Sequence, residues 1–245
     1  MISTTVAALT AVSTVSADAA SSYASIFGGA SFLQQPGLSG SSHTHTTSYN
    51  FISRQSVDTS FKTGFVVGGN YGIDWGTFRT ELELAYRQSH SGKTGRVHTA
   101  YSYQYIGGGA PFPAPVPYSN STAVVPTSLR LSAFSLMANA WYDFHGLEST
   151  LGITPYIGGG AGLAQVKING AINGSKINEK NDQVFAWQVG AGASLPLSES
   201  TSLFVDYRYF AADSADLILE PGFHGGDVKA DFDAHTVLIG FRFNL

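Results

Sequence analysis

Stretches of alternating apolar and polar residues recur along most of the chain. The clearest stretch covers residues 78–87, where Phe78, Leu82 and Leu84 fall on one set of alternate positions. The other set carries four charged residues, which are Arg79, Glu81, Glu83 and Arg87. Because successive side chains of a β-strand point to opposite faces, this stretch predicts a strand that is apolar on one side and ionic on the other.

Eight stretches have this alternation, and the connections between them are alternately long and short. The stretches are 23–33, 61–71, 77–89, 129–144, 154–168, 183–195, 201–211 and 234–243. The two longest connections cover residues 34–60 and 90–128. Bacterial outer-membrane barrels combine short periplasmic turns with long outer loops. We therefore predict an all-β fold, an eight-stranded antiparallel up-and-down transmembrane β-barrel, over residues 21–245.

The charged positions of the predicted strands share one face, and the aromatic positions share the other. An arginine that faces lipid costs about 2–4 kcal/mol at the bilayer midplane, so the ionic face is expected to line the lumen. The predicted lumen charge network consists of Arg79, Glu81, Glu83, Arg87, Asp206, Arg208 and Arg242. We interpret it first as a structural plug, since eight strands leave room only for side chains. A low-conductance ion path is the alternative interpretation.

Aromatic residues near the ends of the predicted strands are expected to form girdles at the membrane interfaces. The candidates are Tyr71, Tyr86, Trp141, Tyr142, Tyr156 and Tyr209. Glycine is unusually frequent in some of the predicted strands, for example in residues 158–160. Such small residues would make room inside a narrow barrel for the long charged side chains.

Composition narrows the class of protein. Charged residues make up 12% of the chain, about half the share usual in soluble domains. The absence of cysteine excludes disulfides and thiolate metal sites. A net charge of −4 gives no basic patch, so nucleic acid is not expected as a partner. Residues 1–20 end in the small-x-small sequence Ala17-Asp18-Ala19, which predicts a signal peptide, with a disordered tail as the alternative.

The chain offers weak candidates for catalytic chemistry. His43 and His45 have a spacing that a metal site could use, and Ser89-His90 could supply a nucleophile and a base. Neither pair is part of a recognisable catalytic motif. We therefore expect no enzyme activity, no catalytic residue, no metal and no cofactor.

The second long connection contains candidates for contacts outside the membrane. They are Tyr101, Tyr103, Tyr105 and Phe112, which are followed by prolines at alternate positions up to Pro117. Tyrosine is an adaptable contact group, and exposed aromatic patches often mark interfaces. This segment is expected either to shield the rim of the barrel or to contact another molecule.

Four segments resemble a known family. Residues 134–144, 154–162 and 237–243, together with Asp206-Tyr207-Arg208-Tyr209-Phe210, are similar to small outer-membrane β-barrel proteins of Gram-negative bacteria. These include the OmpA-like barrel domain and the surface-antigen group. The resemblance implies a location in the bacterial outer membrane. It also implies contact with outer-membrane lipids and lipopolysaccharide.

Two functions from different classes are consistent with the sequence. The first is a structural, surface-exposed outer-membrane protein whose long outer loops mediate contacts, by adhesion, by packing against neighbours or by self-association. The alternative is a small low-conductance pore for ions or small solutes. A soluble, lipocalin-like barrel is a third possibility, but it requires the aromatic-rich face to line the lumen.

Overall fold

The computed structural model describes residues 20–34, 38–45, 49–105, 116–147, 152–178, 182–219 and 228–245. These residues form eleven β-strands and one short 3₁₀ helix, His145–Leu147. The strands are β1 (Ser21–Leu33), β2 (Leu38–His45), β3 (Tyr49–Phe61), β4 (Gly64–Asp74), β5 (Phe78–Tyr105), β6 (Val116–Asp143), β7 (Thr154–Ile172), β8 (Ser175–Asn178), β9 (Asp182–Pro196), β10 (Thr201–Leu219) and β11 (Val228–Asn244). The predicted signal peptide falls almost wholly on residues 1–19, which lie outside the described residues.

Eight of the strands close into a ring. β1 pairs with β4 on one side and with β11 on the other. From β4 the ring continues through β5, β6, β7, β9 and β10 to β11. All of these pairings are antiparallel, and each ring strand overlaps one predicted stretch. The prediction of an eight-stranded antiparallel β-barrel is therefore confirmed.

The barrel wall extends beyond the ring at one end, where loops were predicted from the sequence. β2 and β3 lie within the predicted connection 34–60, and β5 and β6 both continue into the predicted connection 90–128. β3 pairs with the continuation of β5 over residues 49–61. The prediction of loops was wrong here because Val57, Val97 and Val125 give these polar segments an apolar side that packs on a core.

The two ends of the barrel differ in their connections. One end, here the short-turn end, holds the β4–β5, β6–β7 and β9–β10 connections. The C-terminal residue lies at the same end, where the N–H of Leu245 donates to the carbonyl of Ser22 at 2.9 Å. The opposite end, here the long-hairpin end, holds the extensions. Within the described ranges, no helix is long and apolar enough to cross a membrane.

The outer face of the ring is a belt of exposed apolar side chains. On β5, Leu82 is 57% exposed, whereas the adjacent Glu83 is 0% exposed. The apolar belt includes Ile26, Phe65, Val67, Leu82, Leu84, Phe134, Leu136, Ile157, Leu163, Phe185, Val189, Val205, Val237, Ile239 and Phe241. This arrangement is that of a lipid-facing barrel and the reverse of that required by a soluble one.

The interior has two layers that differ in polarity. The layer nearer the short-turn end contains the buried charged side chains. The layer nearer the long-hairpin end is apolar and includes Leu131, Ile168, Phe210 and Phe232. Only the first of these layers was predicted from the sequence. The second lies partly on the strand extensions, which were predicted as loops.

Candidate functional site

Glu83 is the acceptor at the centre of the ionic layer. The Nη1 atom of Arg208 lies 2.5 Å from one carboxylate oxygen, and Asn139 Nδ2 donates to the same oxygen at 3.0 Å. Gln188 Nε2 donates to the other oxygen at 3.4 Å. These donors come from β10, β6 and β9, while Glu83 itself lies on β5. The side chain therefore links strands from opposite sides of the barrel.

Asp206 forms a second acidic centre beside the first. It accepts hydrogen bonds from the Nε and Nη2 atoms of Arg208, the former at 3.0 Å, and from the hydroxyl of Tyr156. Arg208 thus pairs with two carboxylates, and its guanidinium also lies 4.9 Å from the ring centroid of Trp141. The contacts bring both carboxylates and the guanidinium into one ion-paired group.

Glu81 accepts hydrogen bonds from two aromatic residues in the part of the ionic layer nearest the short-turn end. Tyr23 Oη donates to its carboxylate at 2.7 Å, and Trp141 Nε1 donates to it at 2.9 Å. Next to it, Arg79 forms two hydrogen bonds with Asp143, Nε to Oδ2 at 2.6 Å and Nη2 to Oδ1 at 2.8 Å. Asp143 was absent from the predicted network. On β6, however, it has the same inward alternate position as the buried polar residues Ser135 and Asn139.

Two arginines of the layer stack on aromatic rings. The guanidinium of Arg87 lies 4.0 Å from the ring centroid of Phe210, and its Nη1 donates to Ser135 at 2.8 Å. The guanidinium of Arg242 lies 4.9 Å from the ring centroid of Tyr23 and 5.9 Å from that of Phe204. Such cation–π contacts favour a buried cation that has few ionic partners.

The buried charges of the described residues balance each other. Four guanidinium groups face four carboxylates, which belong to Arg79, Arg87, Arg208 and Arg242 and to Glu81, Glu83, Asp143 and Asp206. The gap lined by Arg79, Glu81, Asp206, Arg208 and Arg242 is too narrow to hold a water molecule. All seven residues of the predicted lumen network are therefore buried, in a tightly filled layer. The choice between a plug and an ion path stays a prediction.

Large inward side chains lie over glycines of the neighbouring strand. Tyr23 pairs in register with Gly72, and Trp141 pairs with Gly158. A Cβ atom added at Gly72 would be 2.4 Å from Tyr23 Cζ, and one added at Gly158 would be 2.6 Å from Trp141 Cε3. The inward glycines therefore provide the space in which these rings lie flat against the wall.

Two of the predicted girdle residues do not face the membrane. Trp141 and Tyr156 are both 2% exposed and bond to Glu81 and Asp206 inside the barrel. The prediction was wrong for them because they have the same alternate position on their strands as the buried polar residues. Tyr71 and Tyr142 are exposed on the outer face of the ring, as expected.

A second candidate site lies on the extension at the long-hairpin end. Five aromatic residues of β3 and β5, here the aromatic tip, come together there: Tyr49, Phe51, Tyr101, Tyr103 and Tyr105. The ring centroid of Tyr49 lies 5.3 Å from that of Tyr105 and 6.0 Å from that of Tyr103. The structure thus groups three predicted contact residues with two that were not predicted. The fourth predicted residue, Phe112, lies outside the described residues.

The aromatic tip belongs to the inner face of the extended wall. Its residues occupy the same alternate positions as the buried Val57 and Thr99 and the partly buried Val97 farther down β3 and β5. Four of the five residues are about 40% exposed, between 39% and 46%. Residues 49–53 and 101–105 carry no charged side chain. The tip is therefore an uncharged, partly exposed aromatic surface that faces the axis of the barrel.

The weak candidates for catalysis are not assembled into a site by the structure. Ser89 is buried inside the barrel, whereas His90 is exposed on the outer face of the same strand. The two side chains therefore cannot act as a nucleophile and its base. No group of three or more potential metal ligands occurs among the residues that the structure describes. The side chains of His43 and His45 lie outside that part.

Comparison with known proteins identifies related sequences. A family model described as "Surface antigen" matches residues 7–218. The outer membrane protein PagN of Salmonella typhimurium is 30% identical to the chain over 119 residues, which is 46% of this chain and 46% of PagN. The match therefore spans about half the length of this curated relative.

Solved structures of outer-membrane barrels are also similar. Neisserial surface protein A is 15% identical, with 92% of this chain and 99% of that chain covered and a TM-score of 0.44. The N-terminal β-barrel domain of OprF from Pseudomonas aeruginosa is 14% identical, with 91% and 97% covered and a TM-score of 0.35.

Proposed function

Since this chain belongs to the surface antigen family and is a β-barrel protein of the bacterial outer membrane, we propose that its extended hairpins attach the cell to protein on another surface. The observation that supports this proposal is the aromatic tip, an uncharged group of tyrosine and phenylalanine rings at the end of a long hairpin. Tyrosine and phenylalanine are enriched at protein–protein interfaces and lose little conformational entropy on binding.

The sidedness of the barrel supports an external partner. Outer-membrane barrels have short turns on the periplasmic side and long loops outside, so the long-hairpin end is placed at the cell surface. The tip faces the barrel axis rather than the plane of the membrane. A neighbouring barrel in the same membrane would approach from the side and would not reach that face. The tip therefore favours adhesion over lateral packing.

The chemistry of the tip favours a protein over an anionic polysaccharide. A sulfated or carboxylated chain needs cations, and neither residues 49–53 nor residues 101–105 contain any. Beside the rings, the Oγ atom of Ser53 and the Oε1 atom of Gln55 are buried and, among the described residues, have no hydrogen-bond partner. A bound peptide could supply donors to these atoms and apolar side chains to the rings.

The alternative function, a small pore, has less support. The gap among Arg79, Glu81 and Arg208 in the ionic layer is too narrow for water, and the apolar layer above it contains residues such as Leu131 and Phe210. An ion would therefore have to displace buried ion pairs and then cross an apolar constriction. We propose that the interior serves as a plug.

Attachment assays with tip variants test the adhesion proposal. The wild-type protein is displayed on a non-adherent Gram-negative strain, and binding to monolayers of cultured animal cells is counted. The double variant Phe51→Ser/Tyr105→Ser should reduce attachment by at least about fivefold for each hot-spot ring removed. The matched control is Val124→Ser, which removes a side chain that is 68% exposed on the outer face of β6.

Enzymatic treatment of the monolayer distinguishes a protein receptor from a glycan receptor. The proposal expects Val124→Ser to attach normally and protease treatment of the monolayer to abolish attachment. Equal attachment by the tip variant and the wild type would overturn it. So would attachment that survives protease but is lost after glycosidase treatment, because the receptor would then be a glycan.

A further inference from the structure

Among the described residues, cations outside the lumen lie at one end of the barrel. Seven such cations have described side chains, and all lie at the long-hairpin end: Arg54, Lys62, Lys93, Arg96, Arg130, Lys167 and Lys176. The described surface at the short-turn end has no lysine or arginine outside the lumen and carries Glu199 on an exposed turn. The long-hairpin end is the end that we place at the cell surface. The uneven distribution of cations therefore suggests an anionic partner in the outer leaflet of the membrane.

Three basic residues lie near one another on adjacent strands of the outer wall. His90 on β5 is in register with Arg130 on β6, and Arg130 is in register with Asn169 on β7. Lys167 lies two residues from Asn169, on the same outward face. The Nε atom of Arg130 donates to His90 Nε2 at 3.2 Å, which orients the guanidinium. We call His90, Arg130 and Lys167 the basic triad.

The basic triad lies at the upper edge of the apolar belt. Below it, the outward positions of the same three strands carry Tyr86, Phe134 and Leu163. Residues 78–88 of β5 span roughly 25 Å along the barrel axis at a strand tilt of about 40°. This length matches the apolar band of an outer-membrane barrel, so the triad is at the depth of the lipid headgroups.

The charges of the triad are not neutralised by the protein. Among the described residues, no carboxylate lies within 4 Å of Arg130 or Lys167. Higher on the same wall, by contrast, Asp58 lies 3.1 Å from His98. Two neighbouring cations without a carboxylate partner favour a phosphate, which a guanidinium can bind through two parallel hydrogen bonds.

We infer that the basic triad binds a phosphate group of lipopolysaccharide in the outer leaflet. Arg130 and Lys167 would bind the phosphate oxygens, and His90 would hold the Arg130 side chain in place. The acyl chains of the same lipid would lie on Phe134 and Leu163 directly below. This lipid site is separate from the aromatic tip, so it does not depend on the proposed adhesion.

Native mass spectrometry of the refolded full-length protein in zwitterionic micelles tests this inference. The probes are bisphosphorylated lipid A, dephosphorylated lipid A and inorganic phosphate. Wild type should retain bisphosphorylated lipid A in preference to the dephosphorylated form, and millimolar phosphate should not displace it. Arg130→Gln/Lys167→Gln should weaken binding of the bisphosphorylated lipid about fivefold for each cation lost.

Two matched variants make the result decisive. Arg54→Gln/Arg96→Gln removes the same charge from the wall above the belt and should bind lipid A as wild type does. Arg130→Lys/Lys167→Arg keeps the charge and should retain binding. The inference is overturned if the triad variant binds as tightly as wild type, if the upper-wall variant loses as much, or if dephosphorylated lipid A binds equally well. Unboiled mobility on gels checks that every variant is folded.

Discussion

Single residues in the lumen contact residues that are far away in the sequence. Glu83 and Arg208 are 125 residues apart in sequence and form an ion pair with side-chain exposures of 0% and 2%. Burial of either charge alone would be unfavourable, because each loses its hydration. The attraction between the two opposite charges offsets that loss. Glu83 also lies 4.0 Å from Arg87, so its loss would affect two buried cations.

Removing the carboxylate of Glu83 is therefore expected to destabilise the barrel. Glu83→Ala should lower the free energy of unfolding by about 3–5 kcal/mol, since Arg208 and Arg87 lose a buried counter-charge. Urea unfolding in micelles, followed by tryptophan fluorescence, measures the change. Glu199→Ala, on an exposed turn, is the control and should leave the midpoint unchanged. A Glu83→Ala midpoint equal to that of the control would contradict the assigned role.

The glycines beneath the lumen rings are a second feature at the residue scale. A Cβ atom at Gly158 would approach the backbone carbonyl oxygen of Ala140 to 2.2 Å and the Trp141 ring to 2.6 Å. The carbonyl belongs to a paired strand and cannot move without disturbing the ladder. The close packing of Trp141 thus depends on the absence of a side chain at this position.

Gly158→Ala is expected to destabilise the protein by about 1–3 kcal/mol, the usual cost of overpacking. The temperature at which unboiled protein loses its compact gel mobility reports the change. Gly146→Ala is the matched control, because a Cβ atom there meets nothing within 4 Å. If both variants melt at the wild-type temperature, the rings do not require the glycines.

At the scale of elements, the ring and its extensions have different roles. β5 and β6 are each 28 residues long, far more than the 9–11 residues that cross a membrane. Their inner faces below Thr99 pack on the apolar layer, whereas the aromatic tip above it remains partly exposed. The lower part of the extension therefore stabilises the barrel, and the upper part is available for contacts.

Shortening the β5–β6 hairpin tests the roles of the lower and upper parts of the extension separately. Replacement of residues 99–121 by Asn-Gly keeps the pair His98↔Thr122 as the new hairpin end and removes the β5 half of the aromatic tip. We expect the variant to fold with wild-type heat-modifiable mobility but to lose attachment. Failure to fold in vesicles would show that the tip is needed for assembly of the barrel.

Sequence patterns predicted the ring strands well and the extensions poorly. Lipid-facing strands such as β5 combine apolar Leu82 and Leu84 with ionic neighbours, which is a strong contrast between faces. In β3, by contrast, Val57 is surrounded in sequence by Ser, Gln and Asp. Its partner Val97 lies on another strand, so the apolar side appears only once β3 and β5 are in register.

At the scale of the whole molecule, the barrel is filled rather than hollow. The ionic layer is charge-balanced, and the apolar layer lies between it and the cell exterior. An ion that enters from outside would have to leave water for an apolar region before it met any compensating charge. We therefore propose that the interior opposes conduction at two successive levels.

Planar-bilayer recordings are expected to show no steady current above leak for the wild-type protein. Glu83→Ser/Arg208→Ser removes one cation and one anion from the middle of the ionic layer but leaves the apolar layer in place, so it should also show no steady current. Stable channels in the wild type would contradict the interpretation as a plug. Steady current in the double variant but not in the wild type would show that the ionic layer alone is the barrier to ions.

The sequence alone determined the features that depend on a period of two residues. Alternation placed Leu82 outside and Glu83 inside because a strand has two faces and lipid does not solvate an arginine or a glutamate. The same local pattern determined the number of ring strands and their antiparallel order. The prediction failed for Trp141 because it relied on the aromatic residue type, although Trp141 alternates with the polar Asn139 and Asp143 along the strand.

The tertiary structure decided which residues meet. Glu83 finds Arg208 across the lumen, Tyr23 lies over Gly72, and Tyr49 joins Tyr105 only because the register of each strand pair is set. These contacts join residues far apart in the chain, and a shift of one position in register would turn every side chain of a strand to the opposite face. The basic triad is of the same kind, because its three residues become neighbours only through the pairing of β5, β6 and β7.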